Sequence, residues 1–139
     1  MADDKTLTRL YEAAKSVRDR AHAPYSEFPV GVALISDTGA VYTGCNIENA
    51  SYPEGWCAET SAIAHMVVAG DRKIQDIVVV AGGERLCTPC GGCRQRIAEF
   101  ATTSTRIHAA SLNGIEKSFS MADLLPDAFV LRDEPETKT

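Results

Sequence analysis

The sequence predicts an α/β fold in which one mixed sheet is covered by helices on both faces. Three observations predict it. Amphipathic helical segments interleave with short apolar runs, in the order helix, two strands, helix, strand, helix, two strands, helix. The run Ile77–Ala81 is apolar on both faces, as a central strand must be. Asn113-Gly114 between two further runs is a strong hairpin signal.

The elements follow in order. Leu7, Leu10, Tyr11, Ala14, Val17 and Ala21 recur at helical spacing and predict a helix over residues 5–21. Ala23-Pro24-Tyr25-Ser26 ends it. Residues 30–35 and 40–44 read as strands joined by the turn cluster Ser36-Asp37-Thr38-Gly39. Gly31, inside the first strand, predicts that something packs close to the backbone there. After a polar loop over 46–56, a helix is expected from Cys57 to Ala69, closed by Gly70. The strand 77–81 and a loop over 82–89 precede a helix over 90–100. Strands at 107–112 and 115–119 form the hairpin, and Ser120 can cap a short helix over 121–125 that Pro126 closes. Residues 1–132 read as a single domain, with a polar tail over 133–139.

Composition removes several function classes. The chain has 139 residues, 45% hydrophobic and 24% charged, which is the globular range and not that of a disordered chain. Fourteen basic against nineteen acidic residues leave a net charge of −5. An acidic domain without a basic stripe is ill suited to grip a phosphate backbone, so no nucleic-acid partner is expected. No apolar run approaches the ~20 residues needed to span a bilayer. Met1–Thr8 is polar and has no apolar leader core, so a cytoplasmic location is expected.

Five cysteines are present: Cys45, Cys57, Cys87, Cys90 and Cys93. An odd count without an export signal argues against a disulfide framework. Cys57-Ala58-Glu59 and Pro89-Cys90-Gly91-Gly92-Cys93 each sit where a loop becomes a helix. Helix N-termini favour thiolates. Cys90 and Cys93 share one face of a first turn, and Cys57 could complete a three-thiolate site with a fourth position open, the pattern of catalytic zinc. If Cys57 lies at the mouth of its helix, Glu59 could reach a water polarised by the metal and shuttle its proton. Two other readings stay open at this point: a structural four-ligand zinc that includes Cys87, and a thioredoxin-like redox pair. Cys45 reads as a small core residue and Cys87 as a bystander. His65 and His108 read as packing or surface residues, and His22 as part of an exposed turn.

The two cysteine clusters form the zinc deaminase pattern in its three-cysteine form. The flanking blocks Pro24-Tyr25-Ser26-x-Phe28-Pro29-Val30-Gly31, Asn46-Ile47-Glu48-Asn49-Ala50-Ser51-Tyr52-Pro53, Cys90-Gly91-x-Cys93-Arg94-Gln95 and Leu124-Leu125-Pro126-x-x-Phe129 resemble the small homotetrameric cytidine deaminases over residues ~5–130. The resemblance implies a three-layer α/β/α sandwich with a five-stranded mixed sheet, its last two strands antiparallel. It implies zinc, one ion per chain, on Cys57, Cys90 and Cys93, with Glu59 as proton shuttle. It implies substrate contacts from Phe28 against the base, from the Ala58 backbone to the ring edge, and from Asn46 and Glu48 to the ribose 3′-hydroxyl. Ala50, Tyr52 and Phe129 match positions that contact a neighbouring subunit's site, so a homotetramer with shared active sites is implied.

The resemblance further implies hydrolysis of cytidine and 2′-deoxycytidine in pyrimidine salvage. One position departs from the pattern: many of these enzymes carry arginine after the catalytic glutamate, donating to the zinc thiolates, and here it is Thr60. Arg94, directly after Cys93, is the nearest full positive charge in sequence and is expected to compensate. The blasticidin S deaminases share both cysteine clusters and lack that arginine, so a related aminopyrimidine is the alternative substrate. A structural zinc module without catalysis is the alternative of another class.

Overall fold

The computed structural model describes residues 2–83 and 85–131; the tail expected over 133–139 lies outside them. Helix α1 (Asp4–Arg18) starts where the Asp3 carboxylate accepts from the Thr6 amide at 2.8 Å. It is shorter than its apolar spacing predicts, because Ala21 and His22 peel away and His22 donates its amide to the Asn46 carbonyl. Strands β1 (Val30–Ser36) and β2 (Val41–Cys45) pair antiparallel, as expected. The one-turn 3-10 helix Tyr52–Glu54 precedes α2 (Ala58–Val68). β3 (Ile74–Ala81), α3 (Gly91–Phe100), β4 (Ala101–Ser111), β5 (Gly114–Ser120) and α4 (Met121–Leu124) complete the chain.

The sheet order is β2-β1-β3-β4-β5, with β3 and β4 the parallel pair and the other neighbours antiparallel. This is the mixed five-stranded sheet that the resemblance implied. One face packs Ala33, Val78 and Val80 under Leu10 and Ala14 of α1. The other packs Val32, Leu34, Ile77, Val79 and Ile107 under Ala62 and Met66 of α2 and Ile97 of α3. Alternate residues of β1 and β3 thus serve opposite layers.

Two strands exceed their expected length. β3 begins at Ile74, and its Asp76 is fully buried yet paired: the carboxylate meets His108 Nε2 at 2.7 Å and the Ala2 amide at 3.0 Å. His108 Nδ1 continues the chain to Ser118 Oγ at 2.6 Å. A satisfied polar row can lie inside a sheet, and it broke the apolar pattern by which the strand was read. β4 begins directly after α3, through a threonine-rich stretch in which Thr105 Oγ1 donates to the Ile74 carbonyl at 2.6 Å. The turn of the last hairpin consists of Leu112 and Asn113, with Gly114 at φ +127° pairing to Ser111. Cys45 is half-buried at the end of edge strand β2 and is not a core residue.

The topology explains where a site forms. β2 and β3 both run antiparallel to β1, so they are parallel to each other, and α2 is the crossover between them. α3 is the crossover from β3 to β4. Both helices therefore start beyond the C-terminal ends of their strands, at one end of the sheet, where the N-terminus of β1 also lies. Crevices of α/β sheets form at such ends.

Two close approaches fix the layers. A Cβ on Gly31 would stand 2.0 Å from the Ala14 carbonyl oxygen, so the packing expected at that glycine is α1. A Cβ on Gly44 would stand 2.3 Å from the Ala62 nitrogen and 2.7 Å from the Ala58 oxygen, both backbone of α2. At its other end α2 closes with Gly70 at φ +101°, where the Gly70 and Asp71 amides donate to the Val67 and Met66 carbonyls. Among the described residues no helix is long and apolar enough to cross a membrane. Gly44→Ala should push α2 off β2 and cost about 1–3 kcal/mol of stability, read as a lower urea midpoint with unchanged slope; a midpoint equal to wild type would show that the contact is not tight.

Candidate metal centre

Cysteines occupy the N-cap position of both crossover helices: Cys57 for α2 and Cys90 for α3. A usual N-cap side chain bonds back to a helix amide. Neither cysteine does so, which leaves both sulfurs directed outward from the helix mouths. Cys93, one turn into α3, is fully buried. The sulfurs of Cys57, Cys90 and Cys93 lie within 4.8 Å of one another. Tetrahedral zinc with Zn–S bonds of ~2.3 Å sets its sulfurs about 3.8 Å apart, so the donor set fits a zinc ion. Cys87 is half-buried in the preceding loop and does not join the group, which leaves three ligands and an open position.

The electrostatics are those of crowded thiols. Cys57 is pulled down to about 6, chiefly by the proton it shares with Cys93, with Cys90 and the charge of Arg96 adding to the shift. Cys93 is pushed far up by the same sharing, by burial and by neighbouring negative charge. Burial pushes the Cys87 thiol up. Glu59, in the first turn of α2, is 6% exposed. Burial raises its carboxyl above the ordinary range, and the Cys57 charge adds to this. A carboxyl so placed holds and releases a proton closer to neutrality than a solvated one.

The other expected site residues take definite places. Phe28 is partly exposed, and its ring lies 3.8 Å from where a Cβ of Gly83 would be, on the loop that leads to Cys90. Asn46 Oδ1 accepts from the Val30 amide at 2.8 Å, and its Nδ2 donates to the Phe28 carbonyl at 2.9 Å. Glu48 accepts from the Tyr25 and Ser26 amides at 3.0 and 3.1 Å and from the Ser26 hydroxyl, bonds that lower its pKa. Both side chains therefore clamp the segment that presents Phe28. Ala58 is buried at the start of α2. Glu48 also lines a groove of about 330 Å³ with Tyr25, Ser26, Asn49, Tyr52 and Gly55. Tyr25 and Tyr52 meet edge to face there, with centroids 5.8 Å apart. A larger concavity of about 510 Å³, between the end of α1 and residues 21–29, holds none of the expected site residues.

Ala50 is exposed, as are Tyr52 at 74% and Phe129 at 70%. They are not gathered around the sulfurs of their own chain. Thr60 Oγ1 is buried and finds no partner among the described residues.

The expectation for Arg94 is corrected. Its guanidinium donates to the Pro89 carbonyl at 2.7 Å, the Leu124 carbonyl at 3.0 Å and Thr88 Oγ1 at 2.9 Å. It braces the loop before α3 and is not directed at the thiols. The guanidinium that reaches a sulfur belongs to Arg96, whose Nη1 lies 3.9 Å from Cys93 Sγ. Sequence reasoning missed it, although an i, i+3 step from Cys93 on a helix signals that contact.

Comparison with known proteins defines the class. The family model for the cytidine and deoxycytidylate deaminase zinc-binding region matches residues 4–109. The chain belongs to this family of zinc-dependent deaminases. Among its relatives, a cytidine deaminase of Sporosarcina psychrophila is 42% identical over 127 residues, covering 91% of this chain and 93% of the relative. A cytidine deaminase of Halalkalibacterium halodurans is 40% identical over 124 residues, covering 89% and 94%. The crystal structure of a cytidine deaminase from Burkholderia pseudomallei superposes with a TM-score of 0.83 at 42% identity, covering 88% of this chain and 98% of that one.

The thiol energetics can be tested directly. In protein stripped of metal by a chelator, alkylation of Cys57 by iodoacetamide should accelerate as pH rises through about 6, since the thiolate is the reacting form. Cys93 should stay protonated and react far more slowly. A Cys57 midpoint near the free-thiol value of about 8.5 would contradict the shared proton.

Proposed function

We propose that this chain hydrolyses cytidine and 2′-deoxycytidine to uridine and 2′-deoxyuridine with release of ammonia, as a step of pyrimidine salvage in the cytoplasm. The observation that carries this reading is the set of three sulfurs within 4.8 Å of one another beside a buried glutamate. The kinship with cytidine deaminases supports the substrate.

In this reading Cys57, Cys90 and Cys93 hold the zinc, and one domain over residues 1–132 carries the site. The bound ion supplies Lewis-acid polarisation of the attacking water. Glu59 takes a proton from that water and delivers it to the ring nitrogen and then to the departing amine. Addition occurs at C4, and ammonia is the leaving group. The Ala58 backbone meets the ring edge, and Phe28 covers the base and excludes solvent. Asn46 and Glu48 serve the 3′-hydroxyl from the position they hold while clamping residues 25–30; a carboxylate retains lone pairs beyond the three hydrogen bonds it accepts here. With no contact demanded of the 2′-position, both sugars are accepted.

The test is a substrate panel of cytidine, 2′-deoxycytidine and blasticidin S followed by ultraviolet absorbance. Cytidine and 2′-deoxycytidine should turn over. Glu59→Gln should keep zinc and fold but lose about 10²–10⁴-fold in kcat, whereas Cys90→Ala should lose the metal. Turnover of blasticidin S alone would refute the nucleoside reading.

Ala50, Tyr52 and Phe129 are read as contributors to a neighbouring subunit's site. Their exposure supports this, together with Trp56 at 50% and Ile47 at 48%, which extend an apolar surface of the kind that interfaces cover. The protein should scatter light as a homotetramer of roughly four times 14.9 kDa. Tyr52→Ala or Phe129→Ala should weaken the assembly or raise KM. A fully active monomer would refute the shared site.

A further inference from the structure

We infer that Arg96 is a positioning residue for the metal centre: its guanidinium lies against the Cys93 sulfur and offsets the charge of the three-thiolate set. The inference rests on the proposed zinc assignment of Cys57, Cys90 and Cys93. Zn²⁺ with three thiolates carries a net charge of −1, which weakens its pull on a bound water. Donors around the sulfurs draw part of that charge away and strengthen metal retention.

Three candidates stand near the site, and their geometry separates them. Thr60 offers a buried hydroxyl but no positive charge. Arg94 has its Nε, Nη1 and Nη2 committed to Pro89, Leu124 and Thr88. Arg96 alone among the three brings a full positive charge to a sulfur, with Nη1 3.9 Å from Cys93 Sγ.

The helix makes room for it. Arg96 follows Cys93 by three residues on α3, so its side chain reaches back over the first turn. Gly92 lies beneath that path: a Cβ there would stand 3.1 Å from Arg96 Nη1. A side chain at residue 92 would press the guanidinium outward. Gly92 and Arg96 thus act together, the first leaving the space that the second fills. The guanidinium enters from α3, whereas an arginine at residue 60 would enter from α2.

The experiment measures zinc release from the purified, zinc-loaded full chain into an excess of a metallochromic chelator. Arg96→Gln should release zinc about 10–100-fold faster than wild type, and Arg96→Lys should recover part of the loss. Gly92→Ala should also speed release, although it leaves every charge in place. Adding Thr60→Arg to Arg96→Gln should slow release again by supplying a guanidinium from the neighbouring helix. High salt should accelerate release from wild type more than from Arg96→Gln, because an exposed charge is screened. Turnover of Arg96→Gln should fall in kcat with little change in KM, which a general loosening of the fold would not produce.

If Arg96→Gln releases zinc at the wild-type rate while Cys90→Ala is metal-free, the arginine has no such role although the ligand assignment stands. If Cys90→Ala retains full zinc, the ligand assignment fails and this inference falls with it.

Discussion

Bringing three sulfur atoms within 4.8 Å of one another concentrates negative charge wherever the thiols ionise, and the surrounding structure answers that concentration. Two crossover helices begin at the same end of the sheet with cysteine at each mouth, so two sets of free amides and two helix dipoles face the sulfurs. Their convergence depends on strand direction. β2 and β3 run parallel on either side of β1, and α2 and α3 lie on one face. Reversing one strand would carry one helix mouth to the far end of the sheet. Gly44 then sets how deeply α2 beds against β2, and with it the height of Cys57 and Glu59.

The same charge shapes Glu59. Its carboxyl is buried beside a thiol that ionises readily, and both influences favour the protonated form. A group in solvent would hold its proton too weakly to return it at neutral pH. Remote from the sulfurs, Asn46 and Glu48 perform another task with the same residue types: they bond the backbone of residues 25–30 and hold an otherwise irregular segment in one shape. An aromatic ring carried on that segment is placed by those hydrogen bonds more than by packing.

Much of this was legible in the sequence. Both cysteine clusters read correctly as helix mouths, because a loop-to-helix change is a local signal. The close approach at Gly31 and the closure at Gly70 were legible for the same reason. The starts of β3 and β4 were not, because Asp76, His108 and the threonines around residue 103 are polar, and only their tertiary partners make them compatible with a sheet interior. The direction of a long side chain was also beyond reach. Arg94 and Arg96 lie two residues apart on one helix, and sequence proximity to Cys93 favoured the wrong one. Helical rotation of ~100° per residue sends them to different surroundings, and i, i+3 geometry selects Arg96. Tyr52 and Phe129 were identified by resemblance alone; within one chain their exposure gives no local reason for them.

The outer strand β5 has a further consequence for how this molecule meets its copies. It ends the sheet, so one side of its backbone is left without a strand partner within the sheet. An open edge of this kind can template pairing with another chain. Here the edge is short, it presents Glu116 and Lys117 to solvent, and the register slips between Ala109 and Ala110 of the strand beside it. Charge and a local irregularity both discourage a second sheet from adding on. Self-association is thereby steered toward side-chain surfaces of finite extent, which can close into a symmetric particle, and away from open-ended strand addition, which leads to fibrils.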